Sequence, residues 1–520
     1  MTSQRLTLVS FSLLLLASPH RTQAAESKAD KPNIVYILAD DLGYGDVHCL
    51  NPQRGKIKTP NLDRLAAQGM TFTDAHSGSS VCTPTRYGVL TGRYAWRTRL
   101  QSGVLYGFAP PLIAPGRLTV PAFLKQHGYS TTCVGKWHLG MTMALDAASV
   151  QKDKIDRQEV ASADWSTPIK DGPTSCGFDT YFGISASLDM PPFAYIENDR
   201  FTQPATCTKK FVREGPAAAD FEAADVLPTF ARKACETIAA RAADAKAGKP
   251  FFLYLPLNAP HTPILPSKEW QGKSGLGDYG DFVMQTDAVV GDVLEALEKN
   301  GLAENTLVIV TSDNGCSPAA DTGRLEAQGH FASAQFRGYK ADIWDGGHRV
   351  PFLVRWPGKV KAGSRSAQTI CHTDLLATCA DILGTKLPDT AGEDSASLLP
   401  VLLGKDTQPV HEAVVHHSIK GNFAIRQGRW KLELCPGSGG WSKPRDAEAL
   451  KQGLPTIQLY DLDADPAEAR NVQAENPETV ERLTRLLERY VANGRSTPGK
   501  PQANDADAQI MKPAAKASRP

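Results

Sequence analysis

The stretch "NIVYILADDLG", residues 33–43, joins an apolar run to two consecutive carboxylates. An apolar run without polar alternation is typical of a strand that is buried on both faces of a largely parallel sheet. Asp40 and Asp41 follow directly where this strand should end. In α/β sheets, ligands bind beyond the carboxyl ends of the strands. The stretch therefore predicts an α/β fold with a polar site at one edge of its sheet.

Three later segments repeat this arrangement. They are the apolar runs at residues 250–257, 306–311 and 351–356. His261 follows the first of these runs, and Asp313 and Asn314 follow the second. A helical pattern covers residues 287–300, and Gly301 should end that helix. Because strands that alternate with helices indicate an α/β fold, we expect the polar side chains at these strand ends to face one site.

The pattern of the chain also predicts its domains. A length of 520 residues favours one large domain with a smaller one. Strand-like alternation begins after about residue 405, and a helix is predicted from Asn476, with Pro477 at its first position. We therefore predict a main domain over residues 30–405 and an α+β subdomain over residues 406–495. Residues 496–520 are poor in apolar side chains, which predicts a disordered tail.

The first residues resemble a secretory signal peptide. Arg5 precedes an apolar run over residues 6–17, and small and polar residues follow near Ala24. This run is shorter than the ~20 apolar residues that a membrane span needs. We predict a signal peptide over residues 1–24, no membrane span, and a secreted or periplasmic mature protein. A net charge of +1 provides no general attraction for nucleic acid or anionic lipid, which favours a small partner and excludes nucleic acid.

One cysteine stands in an unusual context. The ten cysteines include no C-x-x-C pair, and their spacing leaves any disulfide pairing open. Cys82 lies in "VCTPTRYGVLTGR", residues 81–93, two positions before Pro84 and four before Arg86. Composition alone favours a small buried hydrophobic residue. The residues around Cys82 indicate a different role.

That stretch matches C-x-P-x-R-x-x-x-L-T-G without a gap, and here the chain resembles the type I, formylglycine-dependent sulfatase family. The resemblance implies that a formylglycine-generating enzyme oxidises Cys82 to formylglycine during maturation. It also implies the fold of the alkaline phosphatase-like superfamily, a sandwich with a large, mainly parallel sheet between helices and a smaller C-terminal α+β subdomain. Residues 30–405 would then be the sulfatase catalytic domain.

The same resemblance implies a calcium ion. Asp40, Asp41, Asp313 and Asn314 supply the oxygen ligands that a hard divalent cation needs, from two predicted strand ends. Together with Cys82 they match the calcium ligands of the family. Each motif alone could be an ordinary turn. Because both occur with the cysteine motif, we interpret them as a metal site.

Four further residues match basic groups of the family's active site. Lys136 and His138 lie in "GKWHLG", His261 in "NAPHTP" and Lys340 in "RGYKADIWDGG". The resemblance implies that Lys136 holds residue 82, and that His138 removes a proton from the hydrated formylglycine so that sulfate is expelled. It implies that His261 and Lys340 bind the sulfate, and that His261 protonates the departing alcohol.

A serine and the total charge complete the predicted site. Ser187, in "GISASLD", lies where related enzymes place a hydroxyl near the substrate, and Ser185 is the alternative. Three carboxylates against one divalent cation leave about one negative charge. Arg86, Lys136 and Lys340 add three positive charges, so the excess suits a monoanionic sulfate ester. Arg86 should hold residue 82 together with Lys136.

We therefore predict a sulfuric ester hydrolase that acts on a sulfated carbohydrate or an aryl sulfate. The alternatives are a phosphonate or phosphate ester hydrolase of the same superfamily, and an unmodified glycan-binding pseudoenzyme. Residues 99–124 and 337–352 resemble the branch that holds arylsulfatase A and N-acetylgalactosamine-6-sulfatase, which favours sulfated galactose or N-acetylgalactosamine units. Asp189, His330 and His416 are further candidates for contact with the sugar.

Overall fold

A computed structural model describes residue 2 and residues 31–160, 162–405 and 408–512. The strands are β1 (Asn33–Ala39), β2 (Met70–Phe72), β3 (Ala75–His76), β4 (Ser130–Lys136), β5 (Thr180–Ile184), β6 (Ile196–Glu197), β7 (Arg200–Phe201), β8 (Cys207–Lys210), β9 (Glu214–Ala217), β10 (Phe251–Pro256), β11 (Thr306–Ser312), β12 (Phe352–Arg355), β13 (Ser364–Ser366), β14 (Ile370–Cys371), β15 (Val414–His417), β16 (Phe423–Gln427), β17 (Trp430–Glu433) and β18 (Gln458–Asp461). The helices are α1 (Pro60–Gln68), α2 (Cys82–Thr91), α3 (Val120–Gln126), α4 (Val226–Lys246), α5 (Gly277–Lys299), α6 (Thr322–Ala327), α7 (Asp345–His348), α8 (Leu375–Ile382), α9 (Leu399–Leu402), α10 (Asp446–Lys451) and α11 (Pro477–Ala492). Apart from residue 2, the predicted signal peptide lies outside the described residues. Within the described part of the chain, no helix is long and apolar enough to cross a membrane.

Ten strands form the central sheet, in the order β13-β2-β12-β11-β1-β10-β4-β5-β6-β7. The four apolar runs of the sequence form β1, β10, β11 and β12. Strand β1 pairs in parallel with β10 and β11, and β4 pairs in parallel with β10 and β5. Strand β12 is antiparallel to both of its neighbours. The predicted α/β fold with a mainly parallel sheet is confirmed.

Apolar side chains cover both faces of this sheet. Val35 and Ile37 of β1 point into one core, whereas Ile34 and Tyr36 point into the other. Helices α1, α4 and α5 contribute to the first core, and α2, α3 and α8 contribute to the second. Burial on both faces explains why β1 reads as an uninterrupted apolar run. The helix predicted over residues 287–300 begins earlier than expected, at Gly277, and ends at Lys299.

A smaller antiparallel sheet, in the order β15-β16-β17-β18, lies within the range predicted for the α+β subdomain. Helix α11 packs on it, because Leu483 and Leu487 share an apolar cluster with Val415 and Ile425. Alternation along these strands gives one apolar face for the helix to cover.

Residues 496–512 do not form the disordered tail that the sequence predicts. The Asp505 carboxylate pairs with the Arg93 guanidinium at 3.1 Å, and the Asp505 amide donates to the Arg97 carbonyl at 2.8 Å. Ala508 and Ile510 pack beside the apolar cluster under α11. The prediction was wrong because low apolar content does not reveal ion pairs with a distant segment. Residues 513–520 lie outside the described residues.

Candidate active site

The carboxylates meet because their strands are neighbours. Ala39 of β1 lies opposite Ser312 of β11 in a parallel register, so both strands end at the same edge of the sheet. The Asp41 amide donates to Oδ1 of Asp313 at 3.2 Å. The Asn314 side-chain amide donates to Oδ1 of Asp41 at 2.7 Å. The predicted convergence of these two strand ends is therefore present in the fold.

These oxygen atoms fit a divalent cation. Oδ1 of Asp40 and Oδ1 of Asn314 are buried and have no hydrogen-bond partner among the described residues. Burial raises the pKa of Asp313 to about 7, and the negative charge of Asp40 acts in the same direction. Asp40, Asp41 and His261 also lie close enough to hold a single ion. Carboxylate and amide oxygens are the ligands that hard cations prefer. Two of the oxygens here have no other partner among the described residues.

Two fully buried cations pair with these carboxylates. Nζ of Lys136 lies 2.6 Å from Oδ2 of Asp40, and Nη2 of Arg86 lies 2.7 Å from Oδ2 of Asp313. Arg86 also donates to the Lys136 carbonyl at 3.0 Å, which links the two cations. Burial opposes ionisation of Asp40, but Lys136 and the other nearby cations outweigh it and hold the pKa of Asp40 well below its usual range.

Lys340 and His261 complete the ring of basic groups. Nζ of Lys340 lies 2.7 Å from Oδ1 of Asp41. Burial opposes the charged form, yet the Asp41 carboxylate overrides it and raises the pKa of Lys340. Nδ1 of His261 lies 2.6 Å from the Thr262 carbonyl, and Nε2 lies 3.8 Å from Oδ2 of Asp41. Burial, aided by Lys340, lowers the pKa of His261.

Cys82 is the first residue of helix α2 and is only 2% exposed. Burial raises the pKa of its thiol, and the charges of Lys136 and Lys340 oppose this effect. The negative charges of Asp313 and Asp40 raise the pKa of the same thiol, so residue 82 is within electrostatic reach of both the cations and the carboxylates. All ten cysteines are among the described residues, and none of them forms a disulfide.

His138 has a defined tautomer. Its Nε2 lies 2.7 Å from the carbonyl oxygen of Leu105, which can only accept, so the hydrogen is on Nε2 and the lone pair is on Nδ1. Nδ1 is buried and has no partner among the described residues. Burial lowers the pKa of His138 well below its usual value, and Lys136 acts in the same direction. His138 is therefore a neutral imidazole with a free proton-accepting atom.

Comparison with known proteins identifies this arrangement. The family model described as "Sulfatase" matches residues 32–385, more than half of the chain. The chain belongs to the sulfatase family. It is accordingly an enzyme that hydrolyses sulfate esters. Members of this family generally work with a formylglycine and a metal ion. The resemblance found in the sequence is confirmed, and so is the prediction of an enzyme that hydrolyses sulfate esters.

Curated sulfatases match most of the chain. N-acetylgalactosamine-6-O-sulfatase of Bacteroides thetaiotaomicron is 33% identical over 512 residues, which cover 88% of this chain and 93% of that protein. Human arylsulfatase A is 33% identical over 480 residues, which cover 88% and 87%. A solved structure from work on the metabolism of multiple glycosaminoglycans by Bacteroides thetaiotaomicron superposes with a TM-score of 0.76 at 32% identity, covering 89% of this chain and 99% of that chain.

The two candidate serines of this sulfatase differ in their contacts. The Ser187 hydroxyl donates to the Asp189 carboxylate. The Ser185 hydroxyl is buried without a partner among the described residues, and the Ser185 carbonyl accepts from the His138 amide at 2.9 Å. Both serines therefore lie in the segment that follows β5 and borders His138, and either hydroxyl remains a candidate for substrate contact.

Two predicted sugar contacts lie elsewhere in the sulfatase. His330 is fully buried, and its nitrogens bond to the Lys56 amide at 3.0 Å and to Oδ1 of Asp46 at 2.8 Å. His416 is also fully buried, and its ring stacks on that of His348 at 3.8 Å between centroids. Both imidazoles are bonded to or stacked on other protein groups, so the structure does not support a sugar contact for either. A single histidine gives no sign in the sequence of whether it is buried.

The sequence analysis missed Asn258 and Arg213. Asn258 follows β10 at the edge where the carboxylates lie, and both atoms of its buried amide are unpartnered among the described residues. Its position directly after an apolar run was the signal that could have identified it. Arg213 lies in the turn between β8 and β9 and binds Asp189, and no local pattern marks it.

Proposed function

We propose that this sulfatase releases sulfate from a sulfated carbohydrate, with Cys82 matured to formylglycine as its nucleophile and with a bound Ca²⁺. The observation that carries the proposal is the cluster of buried ion pairs at the strand ends, where Lys136 lies 2.6 Å from Asp40 and Lys340 lies 2.7 Å from Asp41. The charges of both lysines act on the buried residue 82. Relatives named for N-acetylgalactosamine 6-sulfate support galactose or N-acetylgalactosamine units as the sulfated sugar.

Asp40, Asp41, Asp313 and Asn314 would hold the calcium ion, with residue 82 as a further ligand. The unpartnered oxygens of Asp40 and Asn314 support this assignment. The bound ion would supply the positive charge that lowers the pKa of a hydroxyl on the hydrated formylglycine. Calcium accepts a flexible shell of oxygen ligands, which a site built from three aspartates and an asparagine provides.

The exposure of the basic side chains divides their roles. Arg86 and Lys136 have fully buried side chains, whereas those of Lys340 and His261 retain 6% and 9% exposure. Lys340 and His261 would therefore receive the sulfate group of the incoming ester. Arg86 and Lys136 would orient residue 82 from within. These charges are already in place before the reaction, so little reorganisation is needed as negative charge develops.

The two histidines would act at opposite ends of the reaction. Nδ1 of His138 would accept the proton of residue 82 that must leave for sulfate to be released. Nε2 of His261 would protonate the alcohol as it departs. In the free enzyme, burial favours neutral His261. The negative charge of a bound sulfate ester would favour its protonated form, so the acid would be generated together with the substrate complex.

The proposal includes the location of the enzyme. A signal peptide over residues 1–24 would direct it to the periplasm or the exterior, where sulfated polysaccharides are available. Mass spectrometry of the N-terminus of the exported protein would test this assignment. Retention of residues 1–24 in a cytoplasmic product would contradict it.

Sulfate release is the direct test of the function. Protein matured together with a formylglycine-generating enzyme is offered galactose 6-sulfate, N-acetylgalactosamine 6-sulfate, 4-nitrophenyl sulfate and 4-nitrophenyl phosphate, and the free anions are measured by ion chromatography. We expect sulfate from the sugars and slower or no phosphate release. Preferential turnover of 4-nitrophenyl phosphate would favour the alternative hydrolase instead.

A further inference from the structure

A β-hairpin formed by β8 and β9 lies beside the segment that carries Ser187 and Asp189. The Arg213 amide, in the turn of the hairpin, donates to the Asp189 carbonyl at 3.3 Å. A Cβ atom on Gly215 would lie 2.4 Å from Cβ of Pro191, so this close approach requires glycine. These contacts fix the hairpin against residues 189–191 and hold Arg213 in place.

Arg213 and Asp189 form an ion pair, with 2.5 Å between Nη1 and Oδ2. The other oxygen of Asp189 accepts the hydroxyl hydrogen of Ser187. The guanidinium of Arg213 lies 4.9 Å from the centre of the Tyr106 ring. The Arg213 side chain is 36% exposed and that of Asp189 is 15% exposed. The pair is thus held by several contacts, and the Arg213 side chain remains partly exposed.

This pair adjoins the catalytic groups. Tyr106 directly follows Leu105, whose carbonyl holds His138. Ser187, which donates to Asp189, lies two residues after Ser185, whose carbonyl accepts from the His138 amide at 2.9 Å. Tyr106 and Asp189 thus belong to the two segments that contact His138.

A cavity of about 320 Å³ opens next to Arg213 and Tyr106. Its polar lining consists of Tyr106, Gln158, Glu159, Lys210, Arg213 and Glu214. Two carboxylates balance two cations in this lining, so the cavity offers no net attraction to an anionic group. A volume near the lower end of the usual range for ligand sites suits a single small ring.

We infer that Asp189, Arg213 and Tyr106, with the cavity they adjoin, bind the neutral sugar ring attached to the sulfate ester and select carbohydrate sulfates over aryl sulfates. This inference rests on the proposed function. Sugar hydroxyls both donate and accept hydrogen bonds, so one hydroxyl can donate to Asp189 while its neighbour accepts from Arg213. Arg213 has five N–H donors and uses Nη1 for Asp189, which leaves donors for the sugar.

Kinetics of Arg213 variants on two substrates test the inference. For Arg213→Ala, kcat/KM for galactose 6-sulfate should fall by about tenfold to a hundredfold, as for the loss of a charge-assisted hydrogen bond. The fall for 4-nitrophenyl sulfate should be about tenfold smaller, because that substrate lacks the hydroxyls. Arg213→Lys should show an intermediate loss, since it keeps the charge but not the planar fork. Arg232→Ala is the matched control, because Arg232 is an exposed arginine of α4 that pairs with Glu236. It should leave kcat/KM unchanged for both substrates.

Asp189→Asn provides a second variant, with thermal unfolding as the check that both variants fold. It keeps the shape of the side chain but loses the charge, so it should reduce sugar turnover in preference to aryl turnover. Equal losses on both substrates, or no loss on the sugar, would overturn the inference while leaving the sulfatase function intact. If the matured wild type releases sulfate from 4-nitrophenyl sulfate but from no sugar, both the inference and the proposed carbohydrate substrate fail.

Discussion

Nε2 of His138 lies 2.7 Å from the carbonyl oxygen of Leu105, and this contact leaves Nδ1 of His138 as a buried proton acceptor. The backbone of His138 has a φ of 55°, in the left-handed region, so the surrounding structure holds the residue in a strained conformation. Such strain is common where a side chain must be aimed at a reacting atom. The contact gives His138 a role that can be separated from that of His261.

Loss of His138 should slow sulfate release more than alcohol release. In His138→Ala, the first turnover should release one equivalent of alcohol quickly, followed by turnover reduced by about 10²–10⁴-fold, as expected for loss of a general base. Rapid-quench measurement of both products distinguishes the two steps. Alcohol and sulfate that appear together in the first turnover would assign His138 to another step.

Loss of His261 should depend on the leaving group. In His261→Ala, kcat for aryl sulfates should fall more steeply as the pKa of the phenol rises, because poor leaving groups need protonation. A series of substituted phenyl sulfates measures that slope without any sugar contact, which separates this effect from that of Arg213. His48→Ala is the control, since its side chain is 46% exposed and pairs with Asp63. An unchanged slope in His261→Ala would argue that His261 only binds sulfate.

Removal of a carboxylate should abolish the effect of calcium on stability. Wild-type protein should gain about 2.7 kcal/mol of unfolding free energy at a Ca²⁺ concentration of about one hundred times Kd. Asp313→Asn should lose this gain, together with most activity. Asp63→Asn, which changes a partly exposed carboxylate in the first turn of α1, should keep both. Thermal unfolding with and without a chelator provides the measurement. Chelated wild-type protein that stays fully active would show that these carboxylates are structural.

Maturation should change the mass of Cys82. Conversion of the thiol to an aldehyde makes the peptide that carries residue 82 lighter by about 18 Da, or close to its original mass when hydrated. Cys82→Ala should remove activity without changing the fold, and Cys235→Ala, at a half-buried position of α4, should remain active. Mass spectrometry and circular dichroism measure both effects. A fully active enzyme with an intact Cys82 thiol would falsify the nucleophile assignment.

Acid should destabilise the enzyme through its buried neutral histidines. Burial lowers the pKa values of His372 and His417 to about 3. Histidine in the unfolded chain has a pKa of about 6.5. Below that pH the unfolded state binds more protons than the folded state, so the free energy of unfolding decreases as the pH is lowered. Between about pH 6.5 and 3, each group should remove about 1.4 kcal/mol per pH unit.

Urea unfolding over this pH range measures the loss of stability. His417→Asn should reduce its slope, because one titrating group is removed. A midpoint that does not change between pH 7 and pH 5 would contradict the assignment of these histidines as neutral in the folded enzyme.

The sequence by itself determined the sheet and the residues at its carboxyl edge. Apolar runs such as the one before Asp40 indicate a strand that is buried on both faces, because side chains on both faces of such a strand must be apolar. The rule that sites lie at the carboxyl ends of parallel strands then brought Asp313 to the same edge. Cys82 was identified by its resemblance to a family motif, which is also a local pattern.

Only the tertiary structure decided which partners these groups have. Leu105, 33 residues from His138, determines its tautomer, and Arg213 reaches Asp189 across 24 residues. Asp505 binds Arg93 across 412 residues, which orders a segment whose composition predicts disorder. Such contacts depend on how separate elements pack, and packing leaves no periodic pattern in either of the segments that meet.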